Sequence, residues 1–386
     1  MAWMLLVGST AALYWIYDGY GRCLQFAALL RRMVPRRPAG DVTPEPRYPD
    51  MTVLLTVHNE AAVIERRLRN LLQCEYPPDR LRILVASDGS TDATNQLVQQ
   101  FPDDRVTLFG SPGLGKTGTQ NAALKRVNAD VVVFTDADIE FDRLFLDRVA
   151  LQFCDPGVGA VDGRLLYGIN PSDATNGSQG RYWNYELKIR KLESELGWLA
   201  VVAGACFAVR RELIQPMESS IGEDCIVPLD VVQQGYRVVH DDQALAYDEF
   251  EEGNGITLRR RIRQTLRNWQ GTWSRPALLN PLRHPCYAFA LWSRKLLRWL
   301  SPVFLLIAMG SCGWLLATVP NIVSVAASLP YVGLTLLASL SVPATRLGWN
   351  IPGTHFAFSF LLANVAFLIG VLRATFGARI HAYKNA

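Results

Sequence analysis

VVVFTDADIE, residues 131–140, decides the fold of this chain. Val131 to Thr135 are apolar or β-favouring without interruption, the pattern of a strand buried on both faces of a parallel sheet. The run stops at two aspartates one residue apart, Asp136 and Asp138, at the carboxyl end of that strand. Open α/β sheets bind their ligands there. Two carboxylates so close repel each other unless a cation lies between them, and an oxygen-only site suits Mg²⁺ or Mn²⁺ carrying a phosphate. A solvated turn that happens to hold two aspartates is the plainer reading, and only the surroundings choose between them.

Working outward, strand and helix patterns alternate. MTVLLTV (51–57) reads as a strand, and NEAAVIERRLRNLLQ (59–73) as a helix opened by Asn59. LRILVASDG (81–89) is a second strand followed by a helix, and RVTLFG (105–110) a third, followed by a Gly-rich loop and the helix TQNAALKRV. Such alternation predicts a doubly wound, mostly parallel sheet. Thr56 and Glu60, Asp88, and Asp136 with Asp138 then gather along one edge of it, where carboxylates and amides can hold a ribonucleotide. Taken singly, each is an ordinary turn former or helix cap.

A rival motif occupies the same region. GSPGLGKT, Gly110 to Thr117, matches the phosphate-loop pattern GxxxxGK[ST] between a strand and a helix. Pro112 removes one N–H from such a cradle, and an NTPase leaves Thr56, Glu60 and Asp88 without a task. Lys116 approaches a phosphate in either reading.

The 386 residues are 49% hydrophobic, enough for a large core, but unevenly spread. Ser301 to Thr345 holds no charge, room for two membrane helices joined near Pro320 and Asn321, and Phe356 to Leu372 is a third uncharged run. Ala2 to Tyr17 is apolar and the pattern resumes to Leu30, with Asp18 and Arg22 spaced to pair on one helix face. The start has no basic region of a signal peptide and the stretch ends in Arg31, Arg32, Arg36 and Arg37, so it reads as an anchor with the polar middle of the chain in the cytoplasm. An integral protein of the cytoplasmic membrane follows. Seven cysteines without CxxC spacing give no zinc site and no disulfide framework. The expected division is an N-terminal membrane helix over 1–31, a Pro-rich linker over 32–50, an α/β domain over 51–255, amphipathic interfacial helices over 256–300 and a membrane region over 301–375.

Beyond the fourth strand, VGAVDGRLLYG (158–168) reads as a strand and RYWNYELKIRKLESELG (181–197) as an amphipathic helix. Gly204 and Ala205, between apolar segments, permit close approach of a ligand to the backbone. Glu223 and Asp224 stand at the start of a densely apolar helix, either complementing its dipole or supplying a general base. ITLRRRIRQTLRNWQGTW (256–273) is a basic helix with Ile262, Leu266, Trp269 and Trp273 on one face, suited to a membrane surface; its nearness to the membrane runs argues against nucleic acid.

Together TVHNE, SDGSTD, GKTGTQNAAL, TDAD, the GA of VVAGACF, GED and QTLRNW, in that order between residue 51 and about residue 270, resemble the membrane-bound glycosyltransferases of family 2, the group of cellulose, hyaluronan and chitin-type synthases. The resemblance implies a GT-A fold, Rossmann-like, and an inverting transfer from a UDP-sugar with Mg²⁺ or Mn²⁺. It implies that Thr56, Glu60 and Asp88 line the uridine pocket, that Lys116 and Asp136 face the donor, that Asp138 with Asp136 binds the metal, and that Asp224 is the catalytic base. Glu223, Gly204, Ala205, Gln264, Arg267 and Trp269 fall on the acceptor side. Glu223 beside Asp224 is expected to raise the pKa of that base by like-charge repulsion.

One departure bears on the product. Processive synthases carry QxxRW, whereas Asn268 here separates Arg267 from Trp269. A single-sugar transfer to a lipid-linked acceptor fits the sequence, as does a polysaccharide synthase working as a homo-oligomer or with an export partner. An NTPase using Gly110 to Thr117 and a catalytically silent subunit of a synthase complex are the readings from other classes. If Phe356 to Leu372 crosses the membrane, Arg373, Arg379 and Lys384 fall outside, against the charge rule; a helix lying in or re-entering the membrane removes that conflict.

Overall fold

The computed structural model describes residues 1–33, 48–167, 178–248, 254–349 and 351–378, with backbone alone at 178–182 and 254–257. The strands are β1 (Met51–Val57), β2 (Leu81–Asp88), β3 (Val106–Ser111), β4 (Val131–Thr135), β5 (Glu140–Phe141), β6 (Val158–Tyr167), β7 (Cys206–Arg210) and β8 (Arg237–Asp248). They form one sheet in the order β3-β2-β1-β4-β7-β6-β8-β5. From β3 to β4 every pairing is parallel; β7 runs antiparallel to both β4 and β6, β8 parallel to β6, and β5 antiparallel to β8. The expected parallel sheet thus forms the half that carries β1 to β4, and the other half is mixed. All residues of β1 and β4 are buried, as their unbroken apolar runs require. Phe134 stacks on Phe207 across β4 and β7 with ring centroids 4.7 Å apart, tying the two halves together.

The helices are α1 (Ala2–Tyr14), α2 (Tyr20–Met33), α3 (Ile64–Leu72), α4 (Thr94–Gln99), α5 (Lys116–Leu124), α6 (Phe145–Gln152), α7 (Ser178–Leu196), α8 (Glu223–Gln233), α9 (Asn254–Trp273), α10 (Pro285–Leu291), α11 (Leu297–Trp299), α12 (Ser301–Thr318), α13 (Ile322–Arg346) and α14 (Thr354–Thr375). Asn59 does not open a helix. It adopts φ 59°, which Asn tolerates better than most residues, and α3 begins only at Ile64. Its Oδ1 accepts instead from Thr91 N (2.8 Å), so the turn after β1 is tied to the turn after β2.

Among the described residues three helices, α12, α13 and α14, are long and apolar enough to cross a membrane. The break expected near Pro320 and Asn321 is present, and Asn321 Oδ1 caps α13 by accepting from Ser324 N at 2.9 Å. Ile322, Leu329 and Leu336 on α13 are 85%, 62% and 59% exposed, a facing that suits lipid. Over the expected N-terminal membrane helix, 1–31, the backbone is helical from Ala2 on, α1 passing into α2 through a π bulge at Trp15–Gly19 with Tyr14 and Tyr20 in helical conformation, and it is not among those three. α2 is amphipathic and buries Tyr20, Leu24 and Ala28 against Ile189, Leu192 and Leu196 of α7, so its apolar stripe covers protein. The more apolar α1 lies along α12, with Leu6 against Ala308, Cys312 and Leu315. Asp18 and Arg22 do pair, at 2.5 Å. Most of the Pro-rich linker, with Arg36 and Arg37, and the tail with Arg379 and Lys384 lie outside the described residues.

Candidate active site

The carboxyl ends of β1, β2 and β4 deliver three turns to one edge of the sheet. Asp88, the last residue of β2, is buried, and its Oδ1 accepts from Ser111 Oγ (3.2 Å), Gly115 N (3.0 Å) and Thr119 Oγ1 (2.7 Å). That carboxylate fixes the Gly-rich loop and the start of α5, where Gly115 takes φ 79°. The phosphate-loop pattern is therefore occupied from within: one of its N–H groups serves Asp88, Thr117 Oγ1 donates to Ile221 O (2.9 Å), and Lys116 turns to carboxylates. Thr56, at the end of β1, is 4% exposed, and among the described residues its Oγ1 has no hydrogen-bond partner. A buried hydroxyl left unpaired at a sheet edge is a place for a ligand's polar atom.

Lys116 is the centre of the arrangement. Its Nζ donates to Asp136 Oδ1 at 2.6 Å and lies 2.7 Å from Glu223 Oε1, joining the turn after β4 to the start of α8. Glu223 is buried; burial pushes its carboxyl up, but Lys116 and then Arg267 pull it further the other way, so the net shift is downward. Asp224 beside it is half-buried and shifts upward, first by burial and then by the Glu223 charge. The pair thus splits into a fixed anion and a carboxyl poised to take a proton. Asp136 is also raised, because burial outweighs the help of Lys116. Glu60, half-buried, is raised by burial and then by Asp138 and Asp136, so three carboxyls share one field.

Asp138 is exposed at the rim, and among the described residues no cluster of three or more His, Cys, Asp or Glu forms a ready-made metal cage. An oxygen-only set of one exposed and one paired carboxylate nevertheless fits a divalent ion that takes its other oxygens from a diphosphate and water, the habit of Mg²⁺. The residues present are compatible with such an ion.

On the far side of Asp224 stands the turn Ala203–Ala205. A Cβ on Gly204 would lie 3.1 Å from Asp224 Cβ and 3.3 Å from its Cγ, so the absence of a side chain there makes room for Asp224. Ala205 O accepts from Thr135 Oγ1 at 2.9 Å. Arg267, on α9, donates from Nη2 to Thr117 Oγ1 at 3.2 Å and so joins the group. Gln264 is exposed and makes no side-chain hydrogen bond to it among the described residues. Trp269 packs with Trp273 and Trp299, ring centroids 5.9 and 6.0 Å away. Of the QTLRNW segment, Arg267 is the residue whose charge acts on the acidic pair.

Sequence reasoning missed Arg67. Its guanidinium is buried, donates from Nη2 to Thr135 Oγ1 at 2.7 Å and lies 4.3 Å from the Phe141 ring centroid, behind the TDAD turn. An arginine in register with Ile64, Leu68 and Leu71 on the apolar face of α3 was the available signal.

Residues 52–217 match Glycosyl transferase family 2. The chain carries a family 2 glycosyltransferase domain. This glycosyltransferase domain and its surroundings are 28% identical over 231 residues to the "Probable glycosyltransferase YdaM" of Bacillus subtilis, covering 56% of this chain and 54% of that protein. Against the "Beta-monoglucosyldiacylglycerol synthase" of Synechocystis sp. the identity is 31% over 166 residues, covering 39% and 34%. The chain therefore spans about half the length of the first and about a third of the second. In three dimensions it is similar to the mannosyltransferase PcManGT from Pyrobaculum calidifontis, solved in complex with GDP-Man and Mn²⁺, with TM-score 0.72 and 22% identity over 97% of this chain and 99% of that one. The likeness establishes a GT-A fold with its C-terminal helices included.

Proposed function

We propose that this protein is a membrane-embedded, inverting glycosyltransferase that moves a sugar from a UDP-sugar to a lipid-linked or polysaccharide acceptor, in glycolipid or extracellular polysaccharide synthesis. The observation that carries the reading is the Lys116 bridge, which brings the donor-side acid Asp136 and the acidic pair Glu223–Asp224 to one place. Thr56, Glu60 and Asp88 form the nucleoside side; the unpaired Thr56 hydroxyl supports this. Asp224, raised in pKa, accepts the proton of the acceptor hydroxyl as that oxygen attacks the anomeric carbon from the face opposite the leaving diphosphate, which inverts the configuration. Glu223 stays ionised and holds Lys116 in place. Asp138 with Asp136 would hold a divalent ion, Mg²⁺ or Mn²⁺, whose contribution when bound is to offset charge on the departing diphosphate. The likeness to a glycolipid synthase favours a lipid acceptor.

The membrane placement is supported by α12–α14, and Arg31 and Arg32 at the end of α2 support a cytoplasmic catalytic domain under the positive-inside rule. Halfway along α14, Asn364 Oδ1 accepts from Ser301 Oγ (2.7 Å) at the first residue of α12, and Gly370 packs on Thr265 of α9. Taking Ser301 as the membrane boundary, Thr354 to Asn364, about 15 Å of helix, is the part of α14 at membrane depth. That is half of the ~30 Å hydrocarbon core, so α14 enters without crossing.

The test is a nucleotide panel on detergent-solubilised full-length protein, reading thermal shift with UDP, GDP, ADP and ATP with and without Mn²⁺. Selective stabilisation by UDP is expected. Selectivity for ATP returns the weight to Gly110–Thr117. The variant Asp224→Asn is expected to keep nucleotide binding and lose transfer.

A further inference from the structure

Behind the acidic pair lies a buried charge cluster that the reaction itself does not use. Asp162 on β6 has a fully buried side chain and accepts four hydrogen bonds from three elements. Arg190 of α7 donates from Nη1 to Oδ1 and Oδ2 at 3.0 and 3.1 Å, and His240 of β8, its cross-strand neighbour, meets Oδ2 through Nδ1 at 2.8 Å. The fourth donor is the Ala203 N–H, 2.6 Å from Oδ1. Burial alone pushes the Asp162 carboxyl up, but Arg190, His240 and the Ala203 N–H reverse that, so it stays ionised.

Ala203 opens the turn whose next residue, Gly204, faces Asp224 in the tight approach described above. The other end of the turn is tied at Ala205 O to Thr135, the residue before Asp136, and Thr135 is braced by Arg67. The turn is therefore anchored on a buried carboxylate at one end and on the donor strand at the other, and it forms the wall against which Asp224 rests.

We propose that Asp162 is a positioning residue for sugar transfer: by accepting the Ala203 N–H it fixes the Ala203–Ala205 turn and with it the placement of the Asp224 carboxyl. This rests on the assignment of Asp224 as the base. Being fully buried, Asp162 touches neither donor nor acceptor. Near-attack geometry is sensitive enough for a shift of about 1 Å in a supporting wall to cost on the order of 10²-fold in rate.

The experiment compares full-length wild type, Asp162→Asn, Asp162→Ala and Asp224→Asn. Asn retains an acceptor oxygen for Ala203, whereas Ala removes it. Hydrogen–deuterium exchange is expected to quicken at least tenfold over residues 201–207 and 222–226 in Asp162→Ala, with β1 unchanged and Asp162→Asn close to wild type. Unchanged exchange in both segments overturns the proposal. Turnover is read with UDP-glucose, UDP-N-acetylglucosamine and GDP-mannose in a bacterial total lipid extract, using whichever the wild type consumes. Asp162→Ala is expected to lose more than tenfold in kcat at unchanged KM for the donor, with Asp162→Asn restoring most of it. Full transfer by a folded Asp162→Ala alongside an inactive Asp224→Asn overturns the positioning role alone. Full transfer by Asp224→Asn removes the base assignment and leaves the exchange result to stand by itself.

Discussion

Replacing Lys116 by Met removes the one cation seen to bridge Asp136 and Glu223 while keeping the length of the side chain. The Asp136 arm is partly open to solvent, with 35% of its side chain exposed, and contributes little. The Glu223 arm is different, because 3% of that side chain is exposed. Breaking a buried pair by removing one partner costs about 3–5 kcal/mol, since the charge left behind is uncompensated. Arg267 still acts on Glu223, which argues for the lower end. For a domain of about 200 residues, about 3 kcal/mol lowers the melting temperature by roughly 6–12 °C.

The pH dependence identifies the cause. In the wild type Glu223 is held below its ordinary value, so its pairing stabilises the fold above the unfolded-state pKa and that contribution fades as the pH falls through the folded one. In Lys116→Met, burial and the Asp224 charge act on Glu223 without their main opponent and drive it up. The variant's fold is then penalised at pH 7 and relieved as Glu223 takes a proton on acidification. The assay is the apparent melting temperature of detergent-solubilised protein at a fixed scan rate between pH 7 and 5. A gap that narrows toward pH 5 is expected. A gap below 2 °C at pH 7, or one equally large at both ends, refutes the argument that Lys116 compensates a buried Glu223.

Three further outcomes follow from the same geometry. Gly204→Ala sets a methyl group 3.1 Å from Asp224 Cβ, so kcat is expected to fall about tenfold with UDP binding retained, and undiminished turnover shows that the turn yields freely. Asp138→Ala, at an exposed position, is expected to leave the melting temperature without metal unchanged and to abolish the Mn²⁺-dependent part of UDP stabilisation in the thermal-shift assay. Arg373→Cys is expected to react with an impermeant maleimide from the same side of sealed vesicles as the exposed Cys286; reaction from the opposite side shows that α14 crosses.

The parallel half of the fold was readable because its signals are local. Unbroken apolar runs ending in polar residues give β1, β2 and β4, and parallel order follows from the helices between them. The start of α3 was misplaced by five residues, because Asn59 fits a helix cap by type and only the neighbouring turn at Thr91 shows that it serves a left-handed bend. Composition does not reveal that the apolar side of α2, in the second half of the N-terminal helix, is covered by α7.

The site separates along the same physical line. Asp136, Asp138, Glu223 and Asp224 announce themselves, since adjacent acids are costly and conspicuous in any local window. What couples them does not: Lys116 lies 20 positions from Asp136 and more than 100 from Glu223, in a loop whose pattern points to a phosphate cradle. The three-dimensional arrangement decides between the two meanings of that loop, because Asp88 takes up the Gly115 N–H and Lys116 is held by carboxylates. Asp162 is further hidden, standing in an apolar strand pattern with Arg190, His240 and Ala203 arriving from three separate elements. A charge buried in a strand is costly unless it is fully satisfied, and complete satisfaction at that depth is what ties the mixed half of the sheet to the turn behind Asp224. The candidate reactive groups are thus written locally, while the buried charges packed between and behind them lie far apart in the chain, and mutations at Lys116 or Asp162 are the ones that separate the two contributions.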